Sequence, residues 1–461
     1  MVLLIVTSTL LSCFSKHVKQ ESKPNILFIL VDDLGWSDTG FMGSPVYETP
    51  NLDKLAMQSV VFSNGYAPAA NCAPSRACIL TGKNTPRHGI YTVGSSERGR
   101  AKDRKLIPTP NTDTLDESFV TMAEVLKSKG YTTGTIGKWH LSDNPLTQGF
   151  DINIAGSHAG HPKSYFSPYK NPALEDGEDG EYLTDRLTDE AIQFMADNNK
   201  NPFFLYLPYF TVHTPLQGKE GLVKKYKEKL KGDDRFNAKY GAMVESMDEN
   251  VGKLLNKLDE LGITDNTLVI FSSDNGGLAS VSSQFPIRAG KGSYYEGGIR
   301  VPFVVRWPNE IQNTRIDSTA VSGLDIFPTV LDIINEDINY DLDGTSLLSL
   351  LTKNKPLEER SLFWHFPIYL QSVNPEKEQA RDSLFRTRPG SAMRKGNWKL
   401  HEYFEDSAIE LYNLETDIRE QNNLSEEHPE KVKELYDELQ AWRTKTNAPV
   451  PTELNPNYNL N

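Results

Sequence analysis

Four apolar runs along the chain share one design. Asn25 to Val31 (NILFILV) is apolar almost throughout and stops at Asp32-Asp33. Thr132 to Ile136 stops at Gly137-Lys138-Trp139-His140, Phe203 to Phe210 near His213-Thr214-Pro215, and Thr267 to Phe271 near Asp274-Asn275. Short unbroken runs of this kind read as strands buried on both faces. Helical patterns lie between them. Thr49-Pro50 opens one that carries Leu52 and Leu55. Ser118 to Lys129 sets Phe119, Met122, Ala123 and Leu126 on one face and stops at Gly130. Met243, Val244, Met247, Val251, Leu254, Leu255, Leu258 and Leu261 form a long stripe ending at Gly262, which reads as core packing. Strands alternating with helices predict an α/β fold, with a large, mostly parallel sheet sandwiched by helices. In such sheets ligands bind beyond the carboxyl ends of the strands, and all four runs carry their polar cluster at that end.

After about Pro356 the texture changes. Arg360 to His365, Asn397 to Leu400 and Glu410 to Leu414 read as strands, and Lys431 to Arg443 as a helix with Val432, Leu435, Leu439 and Trp442 turned inward. The expected division is 1–22 as an export segment, 23–356 as a catalytic domain and 357–461 as a small C-terminal α+β subdomain. Asp176 to Glu181 is acidic but lacks the regular oxygen spacing of an EF-hand and reads as a solvated loop. Asn455 onward reads as a loose tail.

The chain has 461 residues, is 38% apolar, and carries a formal charge of −13, which argues against a nucleic-acid partner. A polyanionic ligand would need a local cationic pocket. Val2 to Leu11 is apolar but too short to span a membrane, and predicts export to a bacterial periplasm. Leu10-Leu11-Ser12-Cys13 is similar to a lipobox, with Cys13 as the lipidated residue. It departs from that pattern in having no Lys or Arg before the apolar run and Leu at the second position; a simple cleaved signal or a misassigned start codon are the alternatives. The other two cysteines are Cys72 and Cys78, the latter expected to be a small core residue.

The candidate chemistry begins with oxygen donors. Asp32, Asp33, Asp274 and Asn275 offer hard ligands without imidazole or thiolate, a set that favours Ca2+ or Mg2+ over zinc. Taken singly, an Asp-Asp pair after a strand is as well explained by helix capping. Arg76 follows Cys72 by four residues, so a helix would place both on one face.

Cys72-Ala73-Pro74-Ser75-Arg76, with Leu80-Thr81-Gly82 downstream, resembles the signal by which type I sulfatases have a cysteine oxidised to formylglycine. The resemblance runs from Asn25 to about the C-terminus and includes the block Lys291 to Pro302. It implies an alkaline-phosphatase-like fold with a short antiparallel C-terminal sheet and one packed helix. It also implies hydrolysis of sulfate monoesters. One hydroxyl of the hydrated aldehyde attacks sulfur, and the second loses its proton to expel sulfate. Calcium would be held by Asp32, Asp33, Asp274 and Asn275 together with the oxygen at position 72. Arg76 would stabilise the ionised hydroxyl, and Lys138 would neutralise a sulfate oxygen. His140 would take the second proton, while His213 and Lys291 would serve the departing alkoxide. Glu296 and Arg300 would pair beneath the site. If Cys72 is converted, Cys78 has no disulfide partner.

Substrate contacts are sought in His158, His161 and His365, with Tyr165 and Tyr169 as further candidates; simple packing explains these as well, whereas Arg388 and Arg386 could reach a second sulfate or a uronate carboxylate. The Phe363 to Pro367 segment and the order of the blocks resemble polysaccharide sulfatases. The implied partners are therefore a sulfated carbohydrate (ulvan, carrageenan or a glycosaminoglycan) and a formylglycine-generating enzyme. Two rivals are a phosphonate monoester or phosphodiester hydrolase of the same superfamily, and a catalytically dead glycan-binding lipoprotein.

Overall fold

The computed structural model describes residues 23–336 and 340–459. The apolar N-terminal run and Cys13 lie outside them.

An eight-stranded sheet dominates, in spatial order β5-β4-β6-β1-β7-β8-β2-β9. Its strands are β1 (Asn25–Val31), β2 (Val60–Phe62), β4 (Thr132–Ile136), β5 (Ile152–Ile154), β6 (Phe203–Pro208), β7 (Thr267–Ser273), β8 (Phe303–Arg306) and β9 (Arg315–Asp317). A two-stranded parallel pair, β3 (Gly65–Tyr66) with β10 (Val321–Ser322), lies beside it. The four apolar runs are β1, β4, β6 and β7, all mutually parallel; β8 alone runs against its neighbours. Alternation along a strand sends successive side chains to opposite faces. Leu27, Ile29 and Val31 accordingly join one core with Leu205, Leu207 and Phe271, under the helices Leu183–Asn198 and Ala238–Glu260. Ile26, Phe28 and Leu30 join a second with Phe204, Tyr206 and Ile270, under the helices Cys72–Thr81, Met122–Ser128 and Ile326–Ile333. Both faces are covered, so the strands are buried along almost their whole length, the threonines of β4 included.

Two helix starts differ from expectation. The helix expected from Ser118 begins at Met122, because Thr121 and Glu124 form a reciprocal capping box. Thr49 does precede the helix Pro50–Met57, but its hydroxyl makes no cap bond. The Asp248 carboxylate, from the long helix, caps it instead by accepting from Asn51 N at 3.1 Å and Leu52 N at 2.8 Å.

The C-terminal part forms an antiparallel sheet, β11 (Ser361–Phe366), β14 (Gly390–Lys395), β15 (Trp398–Tyr403) and β16 (Ile409–Asn413), in that spatial order. The helix Pro429–Thr446 packs Leu435 and Leu439 against Met393, Leu400 and Leu411 of the sheet. A small hairpin, β12 (Leu370–Gln371) with β13 (Phe385–Thr387), projects from it. β14 has no counterpart in the sequence reading, since Ser391 and Arg394 are buried polar residues that blur its period.

His88 and His365 are buried neutral imidazoles, and burial pushes each down to about 3. The unfolded chain takes up a proton at each near pH 6.5, while the native state resists it. The stability they contribute is thus complete above pH 6.5 and is lost as pH falls toward 3, at up to about 1.4 kcal/mol per pH unit for each. Urea midpoints measured from pH 7 to 4 are expected to fall, with a shallower fall in His88→Gln.

Candidate active site

The polar residues that end β1, β4, β6 and β7 converge. Lys138 Nζ lies 2.7 Å from Asp32 Oδ2, both fully buried. Arg76 reaches the same carboxylates from the first turns of its helix, with Nε 2.9 Å from Asp274 Oδ2 and Nη2 4.0 Å from Asp32 Oδ1; its Nη1 donates to the Lys138 carbonyl at 2.6 Å. Asp33 N donates to Asp274 Oδ1 at 3.2 Å, and Asn275 Nδ2 to Asp33 Oδ1 at 2.8 Å. Lys291 Nζ lies 2.8 Å from Asp33 Oδ1 and 3.2 Å from Cys72 Sγ. His213 Nε2 stands 3.6 Å from Asp33 Oδ2.

Local backbone sets these positions. Asp33 and His140 both occupy the left-handed region, at φ of 62° and 65°, where non-glycine residues are uncommon and cluster at functional sites. Gly137, at φ 127°, lets Lys138 N reach the Pro208 carbonyl at 2.7 Å; a β carbon there would sit 2.1 Å from that oxygen. Cys72 opens its helix and is 2% exposed. Glu296 and Arg300 pair at 3.2 Å in the block that follows Lys291.

Burial and opposed charges move the protons. Burial raises the Cys72 thiol, but Lys138 and Lys291 outweigh it and bring it to about 6. Burial and the neighbouring Asp32 push Asp274 up to about 6, and burial also raises Asp32. Asp33 is held low because Lys291 and His213 outweigh its burial. Burial, reinforced by Lys138, Arg76 and Lys291, keeps His140 neutral. His213 goes the other way: burial and Lys291 oppose protonation, but Asp33 and Asp32 prevail and raise it.

Among the described residues one cluster has metal-ligating geometry. One donor atom each from Asp32, Asp33, Cys72 and His213 lie within 4.8 Å of one another. Asp32 Oδ1 and Asn275 Oδ1 are buried acceptors without a hydrogen-bond donor. Crowded carboxylates plus vacant oxygen lone pairs match the needs of a hard divalent cation.

The cluster opens into a cleft of about 300 Å³ that Cys72, His140, His161, His213 and Lys291 all line. His161 stacks on His213, with ring centroids 6.1 Å apart. The other substrate candidates stand elsewhere. His158 packs edge-on against His140 without lining the cleft. His365 is buried in the C-terminal sheet, with Nδ1 2.8 Å from Ser391 Oγ and Nε2 2.9 Å from the Pro449 carbonyl, so neither nitrogen is left for a sugar. Arg388 is spent on Asp382 and Glu405, at 2.5 and 2.6 Å. Tyr165 and Tyr169 are buried, their hydroxyls bonded to Phe210 O and Glu181. Arg98, Val93, Leu370 and Val373 do line the cleft and were not anticipated, since they sit in loops and a two-residue strand with no motif to mark them.

Comparison with known proteins agrees with this geometry. The sulfatase family model matches residues 24–336, and a model of the N-sulphoglucosamine sulphohydrolase C-terminal region matches 290–445. The chain belongs to the sulfatase family, and is a sulfuric ester hydrolase of alkaline-phosphatase-like fold. A sulfatase of Formosa agariphila is 32% identical across 97% of this chain and 93% of its own length. An N-acetylgalactosamine-6-O-sulfatase of Bacteroides thetaiotaomicron is 27% identical across 93% and 94%. The crystal structure of Ps i-CgsB in complex with k-i-k-neocarrahexaose superposes with a TM-score of 0.74 at 31% identity, covering 91% of this chain and 93% of that one.

Proposed function

We propose that this chain hydrolyses sulfate monoesters on a sulfated carbohydrate, using residue 72 as formylglycine and one bound calcium. The observation that carries this reading is the setting of Cys72, buried at a helix start, 3.2 Å from Lys291 and within reach of a carboxylate cluster. Converted to formylglycine and hydrated, residue 72 supplies the hydroxyl that attacks sulfur. Asp32, Asp33, Asp274, Asn275 and the oxygen at position 72 would hold the cation, which would supply Lewis acidity toward a sulfate oxygen.

The remaining residues divide the work by environment. Arg76, locked to Asp274, fixes the ligand carboxylates and offers its charge to the ionised hydroxyl. Lys138 neutralises a sulfate oxygen. His140 is neutral with Nδ1 unbonded, so it has a lone pair open to a proton, although burial and the nearby cations weaken it as a base. His213 and Lys291 border the cleft, where they can donate to the leaving oxygen. The named relatives, an N-acetylgalactosamine-6-O-sulfatase and a structure holding a carrageenan oligosaccharide, favour a sulfated glycan over a small aryl ester. We read residues 23–356 as the catalytic domain and 357–461 as the C-terminal subdomain. Export, with lipid attachment at Cys13, rests on the N-terminal sequence. No described helix is long and apolar enough to cross a membrane.

The test is sulfate release by protein co-produced with a formylglycine-generating enzyme, assayed in parallel on sulfate monoesters and phosphodiesters. Chelation is expected to lower turnover at least about 100-fold, with calcium restoring it. Turnover of phosphodiesters alone would sink the assignment, as would full activity with an unmodified thiol at residue 72 by mass spectrometry.

A further inference from the structure

Two arginines line the cleft and take no part in the chemistry assigned above. Arg98 lies in the loop beyond the Cys72 helix, and Arg386 on β13 of the C-terminal hairpin. Arg98 has no carboxylate partner among the described residues, and Arg386 has only a long ion pair. Arg98 Nη2 donates to the Val93 carbonyl at 3.1 Å. Arg386 donates to the carbonyls of Gln371 and Lys291, both at 3.2 Å. Its nearest carboxylate, Glu378, stands off at 3.7 Å and is already bonded to Ser372 Oγ and Val373 N. Burial lowers the proton affinity of Arg386; Glu378 opposes that, and the charge of Arg98 adds to it.

The backbone around both is fixed. Arg104 donates to the carbonyls of Glu97 and Gly99, on either side of Arg98, at 2.8 and 2.6 Å. Tyr369 N donates to Ser96 O at 3.0 Å, tying that loop to the C-terminal segment. Gly99, at φ 82°, packs so closely that a β carbon would lie 2.6 Å from the Phe385 ring. Two like charges held together this way repel unless an anion lies between them. The planar guanidinium fork suits sulfate and carboxylate alike. Between them Val93, Leu278, Leu370 and Val373 offer aliphatic walls to the C–H faces of a sugar.

We propose that Arg98 and Arg386 form a second anion subsite, which binds a sulfate or uronate carboxylate of the substrate other than the ester being cleaved. This rests on the sulfatase reading and adds that the favoured substrate carries at least two anionic groups near each other. It would also give a chain of net charge −13 a local cationic pocket for a polyanion.

The test uses the full-length protein and three oligosaccharide probes: a carrageenan with one sulfate per disaccharide, one with two, and a chondroitin sulfate with one sulfate and one carboxylate. Calorimetric binding is measured on unconverted Cys72 protein, and kcat/KM on the converted enzyme. Wild type is expected to prefer a doubly anionic probe, and whichever of the last two it prefers identifies the second group. In Arg98→Ala that preference should shrink about tenfold or more, and Arg98→Lys should recover part of it. Arg386→Ala should shrink it likewise, with melting curves confirming that each variant folds. The proposal is overturned if wild type shows no preference or binds none of the three. It is also overturned if the variants lose affinity equally for singly and doubly charged probes. Sulfate release from 4-methylumbelliferyl sulfate, which has no second anion, tests the sulfatase reading separately.

Discussion

Replacing Cys72 with alanine is expected to leave a folded protein and to cut sulfate release by about 10⁵-fold or more, the scale on which removing a nucleophile acts. The side chain is small and buried in the first turn of its helix, so alanine loses little volume and keeps the helix register. Lys138 and Lys291 retain Asp32 and Asp33 as partners, which leaves no charge stranded. The melting temperature should therefore stay close to wild type while turnover vanishes. Cys72→Ser separates the two halves of the reaction. A serine hydroxyl can accept the sulfo group but has no geminal neighbour to release it, so intact mass should show a trapped sulfated enzyme. Substantial turnover in the alanine variant would remove residue 72 from the chemistry.

Lys399→Met is expected to destabilise the fold by about 3–5 kcal/mol, the usual cost of breaking a buried ion pair from one side. Lys399 is fully buried on β15, with Nζ 2.8 Å from Glu296 Oε1 and 2.9 Å from Glu420 Oε1. Burial opposes the charge on Glu296, but Lys399 and Arg300 outweigh it and bring that carboxyl to about 2. Tyr66 donates to Glu296 Oε2 at 2.7 Å, and Glu420 accepts the Glu296 amide at 2.6 Å. Methionine fills the space and leaves two buried carboxylates facing each other. Thermal and urea midpoints should drop clearly, and adding Glu420→Gln should recover part of the loss. A variant as stable as wild type would show that the network is neutralised by some other route.

The parts of this molecule written in local patterns were legible in the sequence. NILFILV had to be a strand with both faces covered, and the Asp, His and Lys clusters had to lie at one edge once the strands were parallel. The structure places Asp32, Asp33, Cys72, Asp274 and Lys291 side by side. What failed was inference from residue type alone. His365 looked like a ligand-binding histidine, but a packed sheet absorbs both its nitrogens. Arg388 and Arg386 are two residues apart on an extended segment, and only the contacts of the hairpin decide which one meets carboxylates and which one meets the cleft. Arg98 was invisible for the same reason: its loop is held at the cleft by a local tie from Arg104 and a long-range one from Tyr369, which no periodicity records.

Leu370, Val373 and Arg386 of the C-terminal segment wall the same cleft as Cys72. The ribosome therefore delivers the proposed reactive side chains, through Lys291, before Leu370, Val373 and Arg386, which complete a cleft that Val93, Arg98 and Leu278 begin. A polypeptide ended prematurely, anywhere between Lys291 and the hairpin, would own a full set of reactive groups yet have no finished pocket and no lysine for Glu296. Nonsense or clipping lesions in that stretch should thus be as damaging as loss of the reactive residue itself.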